Sequence, residues 1–234
     1  MTKIIGISGR KQSGKNTVAN IICGDTLMSL NMIKDYSINK HGELCIQTTN
    51  KNNEIGWGVF DLLRKDLDFV EYADSHIWPY IKIHHFADYL KMICVDLFDL
   101  DPHQVYGTDE DKNTDTSYGM TAREFLQYFG TNVMRKIKDT VWLDRTMKTI
   151  MEEQSSIAII PDVRFPNEVH AIKDAGGIVI RLTRDMTHSS HECESSLNQD
   201  VFDWDTFDYI IDNQGYDIEQ LKEEILLIKN IWRN

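Results

Sequence analysis

The chain has 234 residues, of which 41% are hydrophobic and 26% charged, a composition typical of a folded globular protein with a substantial core. Its 25 basic and 37 acidic side chains give a net charge of −12, which disfavours a polynucleotide or an anionic membrane as a partner. A phosphate-bearing ligand would need a local basic pocket, which suits a small nucleotide. The four cysteines show no Cys-x-x-Cys spacing and no apolar run approaches the roughly 20 residues of a membrane helix, so we expect a cytoplasmic protein.

The first 30 residues predict a phosphate-binding loop. An apolar strand at residues 4–8 leads into a loop that begins at Gly9 and ends at Gly14-Lys15, and a helix is expected from residue 16 to about 30. Backbone amides of such a loop and the helix N-terminus wrap a phosphate chain, while Lys15 adds a mobile positive charge for the terminal phosphates. The sequence therefore predicts a nucleoside triphosphate site.

Asn16 stands where the general motif has serine or threonine, and the hydroxyl comes one residue later, at Thr17. The order Gly-Lys-x-Thr resembles that of nucleoside monophosphate kinases, in which this hydroxyl serves the magnesium and phosphate end. Asn16 either contacts phosphate or magnesium as a neutral amide or simply begins the helix. The sequence leaves both roles open.

Residues 31–80 interrupt the alternation of strands and helices. Scattered glycines and the polar cluster at residues 48–53 separate short β-rich pieces, which predicts an insertion with a hairpin and a helical piece around residues 60–70. The insertion shows no motif of its own. It is either a solvated elaboration of the core or an oligomer contact or substrate-side flap.

After the insertion, a strand is predicted at residues 81–86 and a helix from there to residue 98. Asp88 lies just past the strand, where α/β folds bind ligands, although the same position also suits a helix N-terminal residue favoured by the dipole. Residues 99–119 are dense in polar and charged side chains and predict a loop, which either could close over a ligand or is only a solvated connection.

Thr121 and Glu124 form a capping box and predict the start of a helix. Arg123, in the first turn of that helix, opposes the helix dipole, which indicates an anionic partner from elsewhere; the alternative is an exposed surface arginine. A second helical piece should hold Arg135, and a third should run from near Trp142 to about residue 154. A tryptophan at helical spacing is more often part of the core than of a site.

The apolar run at residues 157–161 predicts a buried strand that Asp162 ends. A carboxylate at the end of such a strand, in a chain with a phosphate-binding loop, is where P-loop enzymes keep the acid that orders magnesium. Arg164 and Glu168 follow within about one turn, and Pro166 suits the first turn of a helix that Gly176 and Gly177 would end. The alternative is a helix start that is merely rich in charges.

The last third of the chain predicts a strand at residues 178–183 with Arg184 at its end, a polar lid-like segment at residues 185–206, a strand at residues 209–212 and a helix from 218 to about 232. His188, His191 and Cys193 lie within one loop, with no matching pair of ligands elsewhere, so zinc is not expected.

Strands that alternate with helices predict an α/β fold with a central, mostly parallel sheet flanked by helices, with the strand of the phosphate-binding loop at its centre. We expect a single domain over residues 1–234, built from a core of residues 1–30 and 81–234, the insertion at 31–80 and the lid at 185–206.

Several motifs of this chain look like those of the bacteriophage deoxynucleoside monophosphate kinases. They lie at residues 9–17, 86–91, 123–135 and 162–168, with Trp142 between the last two, and at residues 191–194 and 208–213 near the end. They occur in the order of that family along nearly the whole chain. The resemblance implies a P-loop kinase fold that transfers the γ-phosphate of ATP to a nucleoside monophosphate with Mg²⁺, usually as a homodimer. Two positions depart from the family pattern, since Asn16 replaces a common Asp and Cys193 a common Ser.

By matching position, the resemblance assigns three overlapping sets of residues. The ATP-binding set is Arg10, Lys11, Gln12, Ser13, Gly14, Lys15, Asn16, Thr17 and Arg184. The acceptor-binding set is Asp88, Lys91, Arg123, Gln127, Arg135, Trp142, Asp162, Arg164 and Glu168. Lys15, Arg123, Asp162 and Arg164 would be catalytic, and Thr17 and Asp162 would hold the metal directly or through water.

The resemblance thus places Trp142 against the acceptor nucleotide rather than in the core. Two other functions share some of these features. A P-loop kinase with a non-nucleotide acceptor, of the dephospho-coenzyme A type, would have the same loop, late arginines and lid. A nucleotide-binding regulatory switch would use the insertion as its interaction surface, but it would leave Arg123 and Arg164 without a role.

Overall fold

The computed structural model describes residues 2–49, 54–63, 67–185 and 195–233. These form two compact units, Met1–His84 with Glu153–Asn234, and His85–Glu152. We call them the loop unit, which contains the phosphate-binding loop, and the helical unit. Within the described part of the chain, no helix combines the length and the apolar composition that a membrane span requires.

A parallel sheet of five strands forms the centre of the loop unit, in the order β5-β6-β1-β7-β8. Its strands are β1 Lys3–Ser8, β5 Ile81–Ile83, β6 Ile157–Val163, β7 Ile178–Leu182 and β8 Tyr209–Ile211. The isoleucines of β1 are almost completely buried, as a central strand with both faces covered requires. The predicted α/β class and the central position of the first strand are therefore confirmed.

The insertion forms a separate antiparallel sheet in the order β2-β3-β4, with strands Tyr36–Ile38, Leu44–Thr49 and Ile55–Val59. It thus contains three strands, where the sequence predicted a hairpin. Its helix lies at Leu67–His76, later than the predicted residues 60–70.

Nine helices are found in the described residues: α1 Lys15–Ser29, α2 Leu67–His76, α3 Asp88–Phe98, α4 Pro102–Tyr106, α5 Asp109–Lys112, α6 Ala122–Gln127, α7 Val141–Glu153, α8 Pro166–Asp174 and α9 Ile218–Leu227. Short 3₁₀ turns lie at Trp204–Thr206 and Lys229–Ile231. The C-terminal helix is therefore shorter than predicted. Beyond it, the Trp232 indole donates a 2.8 Å hydrogen bond to the buried Asp25 carboxylate, which ties the chain end to α1.

The strand predicted at residues 81–86 ends at Ile83. The cause is local, because the backbone N–H of His85 donates to the carboxylate of Asp88, at 3.0 Å, instead of continuing the sheet. That hydrogen bond turns the chain into α3.

Two short helices, α4 and α5, occupy the segment that was predicted to be a polar loop at residues 99–119. Each has its own N-cap: the Asp101 carboxylate accepts from the N–H of His103 at 2.8 Å, and Thr108 forms a capping box with Asp111. Satisfied N-terminal amides allow helices of only one turn to form in a polar segment. The prediction of a loop was wrong because these caps went unrecognised.

The capping box of Thr121 and Glu124 starts α6, as predicted. The predicted second helical piece around Arg135 is instead a π-helix, Tyr128–Arg135, that continues α6 without a break. Gly130 lies within this π-helix, where a Cβ would come within 2.6 Å of a terminal methyl of the Leu90 side chain, so any larger residue would require Leu90 of α3 to move.

Candidate active site

The backbone of the loop at residues 9–14 is folded back on itself. Gln12 and Gly14 have positive φ values of 62° and 99°, and the N–H of Ser13 donates to the carbonyl of Arg10 at 3.1 Å. A Cβ on Gly9 would lie only 2.4 Å from the Oγ of Ser13, so a larger residue would require Ser13 to move where the loop closes. Such a turn is the geometry that concentrates backbone amides around an anion.

Lys15 lies inside this loop. Its Nζ donates to the carbonyl oxygens of Gly9 at 2.7 Å and Arg10 at 2.6 Å, and the residue is only 9% exposed. These two carbonyl oxygens of the loop hold the ammonium in place. The positive charge is thus fixed within the loop, where an incoming phosphate would meet it.

Two arginines that were predicted to bind ATP hold protein groups in the structure. Arg10 pairs with Asp185 at 2.7 Å and donates to the side chain of Asn198 at 3.0 Å. Arg184 donates through Nε to the carbonyl of Asn213 at 3.2 Å and through Nη2 to that of Tyr216. Their role toward ATP remains a prediction.

Asn213 ends the motif at residues 208–213, but the sequence predicted no role for it. It is completely buried, its amide donates to the carbonyl of Ser13 at 2.8 Å, and its Oδ1 accepts from the N–H of Arg184 at 3.0 Å. It therefore connects the phosphate-binding loop to the chain after β7. The available signal was its position shortly after β8, at the carboxyl edge of a parallel sheet, where α/β folds place functional groups.

The remaining loop residues differ in exposure: Gln12 and Asn16 are exposed, and Lys11, Gly14 and Thr17 are half-buried. Thr17 contacts the insertion, since a Cβ on Gly42 would lie 2.3 Å from its Oγ1. Next to it on α1, the Asn20 amide donates to the carbonyl of Gly42 at 2.9 Å. The turn between β2 and β3 thus lies against the helix that follows the phosphate-binding loop.

Asp162 is a half-buried residue of β6, which continues one residue beyond the predicted end to Val163. Val163 pairs with Ser8, the last residue of β1, after an irregularity in the register. Asp162 therefore lies at the same edge of the sheet at which the phosphate-binding loop begins.

The turn after β6 is organised by Glu168. This carboxylate is 1% exposed, and its Oε2 accepts from the backbone N–H of Arg164 at 2.7 Å and of Phe165 at 3.1 Å. These contacts hold the backbone of Arg164 in one orientation at the start of α8. A direct contact of Glu168 with the acceptor remains a prediction.

The other predicted acceptor residues lie in the helical unit. Arg123 donates to the Asp109 carboxylate at 2.6 Å and to the Asn113 side chain at 2.9 Å, so it has the anionic partner that its position at a helix N-terminus indicated. Gln127 is half-buried at the end of α6. The guanidinium of Arg135 donates a 3.2 Å hydrogen bond to the backbone carbonyl of Asp139.

Asp88 is at the start of α3, where its carboxylate accepts the N–H of His85. Burial alone would raise its pKa, but the hydrogen bonds and charge of His85, together with Lys91, outweigh that effect and lower the pKa. Asp88 is therefore a negative charge at neutral pH. Both interpretations of this residue, as a ligand contact and as a helix N-terminal residue, agree with this geometry.

Trp142 is 5% exposed, and its indole N–H donates to the carbonyl of Gly130 at 3.1 Å. This geometry fits a core tryptophan whose polar atom is satisfied by the π-helix. It favours the interpretation from the residues alone over a stacking contact with the nucleotide.

Each unit contains one group of predicted residues. In the loop unit these are the phosphate-binding loop, Asp162, Arg164, Glu168 and Arg184; in the helical unit they are Asp88, Lys91, Arg123, Gln127, Arg135 and Trp142. His188, His191 and Cys193, together with most of the predicted lid, lie outside the described residues.

For the residues described, no group of three or more His, Cys, Asp or Glu side chains could hold a metal ion. Magnesium does not need such a group, because it binds through one or two protein oxygens together with substrate phosphates and water. The hydroxyl of Thr17 and the carboxylate of Asp162 are donors of that kind. The chemistry of these residues fits Mg²⁺.

A central parallel strand, a glycine-containing loop with an internal lysine and a following helix define a P-loop protein of the α/β class. The model of the deoxynucleotide monophosphate kinase family matches residues 101–225, which is more than half of the chain. The chain therefore belongs to the deoxynucleotide monophosphate kinase family, and it is a deoxynucleoside monophosphate kinase with ATP as the implied donor.

Individual relatives agree with the family. Over 136 residues the chain is 37% identical to a predicted deoxynucleotide monophosphate kinase of Acanthamoeba polyphaga mimivirus. This alignment covers 50% of this chain and 70% of the relative. Over 191 residues it is 26% identical to the deoxynucleoside-5'-monophosphate kinase of Escherichia phage T5. This alignment covers 74% of this chain and 73% of that protein.

Proposed function

We propose that the protein transfers the γ-phosphate of ATP to a deoxynucleoside 5'-monophosphate in a magnesium-dependent, in-line reaction that yields the diphosphate. The observation that carries this proposal is the Lys15 ammonium, which two carbonyl oxygens hold inside a loop that begins directly after the central strand. Family membership supplies the class of acceptor.

On the donor side, the amides of residues 9–14 and the N-terminus of α1 bind the triphosphate, and Lys15 neutralises charge on its terminal phosphates. Asn213 keeps this loop in position through the carbonyl of Ser13. A preorganised loop favours transfer because the chain does not have to reorganise as charge moves from donor to acceptor.

On the acceptor side, Arg123 and Lys91 of the helical unit bind the monophosphate. Arg164, whose backbone Glu168 orients, adds positive charge during transfer. The acceptor phosphate has a second pKa of about 6 and is mostly a dianion at neutral pH, so the reaction needs no strong general base. The main requirements are neutralisation and in-line alignment of two anions that repel each other.

Magnesium, when bound with ATP, would neutralise the β- and γ-phosphates and help to orient them. Thr17 and Asp162 are the residues that we propose hold it, either directly or through water. Asp162 is suited to this because it lies at the edge of the sheet where the phosphate-binding loop begins.

The test is phosphoryl transfer from ATP and Mg²⁺ to the four common deoxynucleoside monophosphates and their ribonucleotide counterparts, with separation of the products. We expect diphosphates with at least one deoxynucleotide acceptor. Transfer to dephospho-coenzyme A with none to any nucleotide would overturn the proposal, and so would ATP hydrolysis without transfer to either acceptor. The homodimer and the cytoplasmic location remain predictions.

A further inference from the structure

Lys112, at the end of α5, takes part in a group of three cations that sequence reasoning did not recognise. Its Nζ donates to the carbonyl of Gly107 at 2.6 Å. The Nζ of Lys91, from α3, lies 5.5 Å from the ring centre of Tyr106, the residue just before Gly107. Two ammonium groups from different helices therefore approach the same point of the chain.

Arg123 brings the third positive charge from α6. It contacts Asp109, at the start of α5, and Asn113, which directly follows Lys112. One short segment, residues 106–113, thus contacts all three side chains. We call Lys91, Lys112 and Arg123 the cation cluster.

The two lysines of the cluster differ in their partners from four other lysines of the described residues. In the described ranges, neither Lys91 nor Lys112 forms an ion pair with a carboxylate. Four other lysines do form one: Lys82 with Glu153, Lys138 with Asp144, Lys148 with Glu152 and Lys173 with Asp208.

The acids nearest to Lys112 are occupied by other donors. Asp109 pairs with Arg123 at 2.6 Å, and the Asp111 carboxylate accepts from both the N–H and the hydroxyl of Thr108 at 2.7 Å. Asp88, which interacts with Lys91, accepts the N–H of His85.

The carboxylates of Asp88, Asp109 and Asp111 lie near the cluster, but none of them forms an ion pair with Lys91 or Lys112. Burial lowers the pKa of Lys112, and the positive charges of Lys91 and Arg123 lower it further. The carboxylates of Asp109 and Asp111 raise this pKa, but they do not outweigh the first two effects. Repulsion between the members of the cluster would be relieved by a bound anion of charge close to −2.

We propose that Lys112 binds the phosphate of the acceptor monophosphate, together with Lys91 and Arg123. This inference rests on the proposed function, for which the acceptor is a deoxynucleoside monophosphate. Lys112 is then a substrate-binding residue whose ammonium is held ready by the carbonyl of Gly107. The short helix α5 has the role of presenting this ammonium and, through Asp109, of orienting Arg123.

The experiment measures equilibrium binding of each deoxynucleoside monophosphate and of the matching nucleoside, which lacks the phosphate, to four forms of the full chain: wild type, Lys112→Gln, Lys112→Ala and Lys148→Ala. Glutamine keeps a donor for the carbonyl of Gly107 but removes the charge. Lys148 is an exposed lysine of α7 in the same unit and serves as the matched control.

In the wild type and in Lys148→Ala, the monophosphate should bind more tightly than the nucleoside. In Lys112→Gln, this advantage should fall by about tenfold or more, as expected for loss of a charge-assisted hydrogen bond, while nucleoside binding stays within about twofold. In steady-state transfer, the KM for the monophosphate should rise and the KM for ATP should not.

The inference is overturned if Lys112→Gln keeps the full advantage of the monophosphate over the nucleoside. It is also overturned if only Lys112→Ala is affected and both ligands weaken equally, because that pattern reports a structural role for the hydrogen bond to Gly107. A wild type that neither binds nor phosphorylates any of these monophosphates would refute the proposed function itself, and the inference with it.

Discussion

The side-chain amide of Asn213 donates a 2.8 Å hydrogen bond to the carbonyl of Ser13, a residue 200 positions earlier in the chain. Its side-chain oxygen, Oδ1, accepts a hydrogen bond from the backbone N–H of Arg184. A completely buried side chain therefore joins the phosphate-binding loop to the chain after β7. This relationship gives the first prediction.

Asn213→Ala should lower the free energy of unfolding by about 1–3 kcal/mol, because it removes the hydrogen-bond partner of a buried carbonyl and of a half-buried N–H. It should also raise the KM for ATP, since Ser13 loses its support. Chemical denaturation and steady-state kinetics measure the two effects. Asn230→Ala, at an exposed asparagine, is the control, and an Asn213→Ala protein with unchanged stability would contradict the prediction.

Lys15→Ala should lower turnover by at least about a hundredfold, because one charge that stabilises the transition state is removed. The fold should survive, since the hydrogen bonds from its ammonium to the carbonyl oxygens of Gly9 and Arg10 lie within the loop itself. Circular dichroism and single-turnover kinetics test the two statements. Turnover near that of the wild type in a folded variant would remove Lys15 from the mechanism.

Arg164→Ala should also lower turnover by at least about a hundredfold while the protein stays folded. The hydrogen bond to Glu168 comes from the backbone of Arg164 and is retained in the variant, so the turn after β6 should persist. Kinetics with both substrates varied measure the effect. A soluble variant with nearly normal turnover would show that the guanidinium does not act in transfer.

Gly42→Ala should be more destabilising than Gly215→Ala, although both positions have nearly the same positive φ, 79° and 78°. Both variants share the backbone strain of about 1–2 kcal/mol. Only at position 42 would the new Cβ collide with another group, the Oγ1 of Thr17 at 2.3 Å, whereas nothing lies within 4 Å at position 215.

Thermal unfolding compares these two glycine variants, and the KM for ATP shows whether displacement of Thr17 affects the donor site. Equal loss of stability in both variants would mean that the turn of the insertion does not press on α1.

Asp88→Asn should make the stability of the protein less dependent on pH in the acid range. The pKa of Asp88 in the folded protein is lower than its ordinary value of 3.8, so its ionised form stabilises the fold above that value, and this contribution is lost as the pH falls through the folded pKa. Denaturation midpoints between pH 3 and pH 7 should therefore converge for wild type and variant at the acid end. A constant difference across this range would contradict the prediction.

Local chemistry was sufficient for those parts of the molecule whose cause lies within a few residues. The loop at residues 9–17, the capping box of Thr121 and Glu124 and the helix from Pro166 could be placed from sequence because glycine freedom, side-chain caps and proline geometry act over one turn of chain. Asp101 and Thr108 cap α4 and α5 by the same local chemistry, but these helices have only five and four residues and lack the apolar periodicity that predicts longer ones.

Relationships between distant residues required the tertiary structure. That Asn213 supports Ser13, that Asp109 is the partner of Arg123 and that Gly42 lies against Thr17 depend on how strands and helices pack, and no short pattern encodes them.

The sequence by itself determined the chemistry of this protein: a phosphate-binding loop with one lysine, an acid at the end of a buried strand and a small set of arginines in a chain of net charge −12. The tertiary structure decided which partners hold those groups, because hydrogen bonds and burial depend on distances in space rather than along the chain. For that reason only the structure shows that the Trp142 indole is buried and donates to the carbonyl of Gly130. Likewise, only the structure shows that Lys112 lies near Lys91 and Arg123.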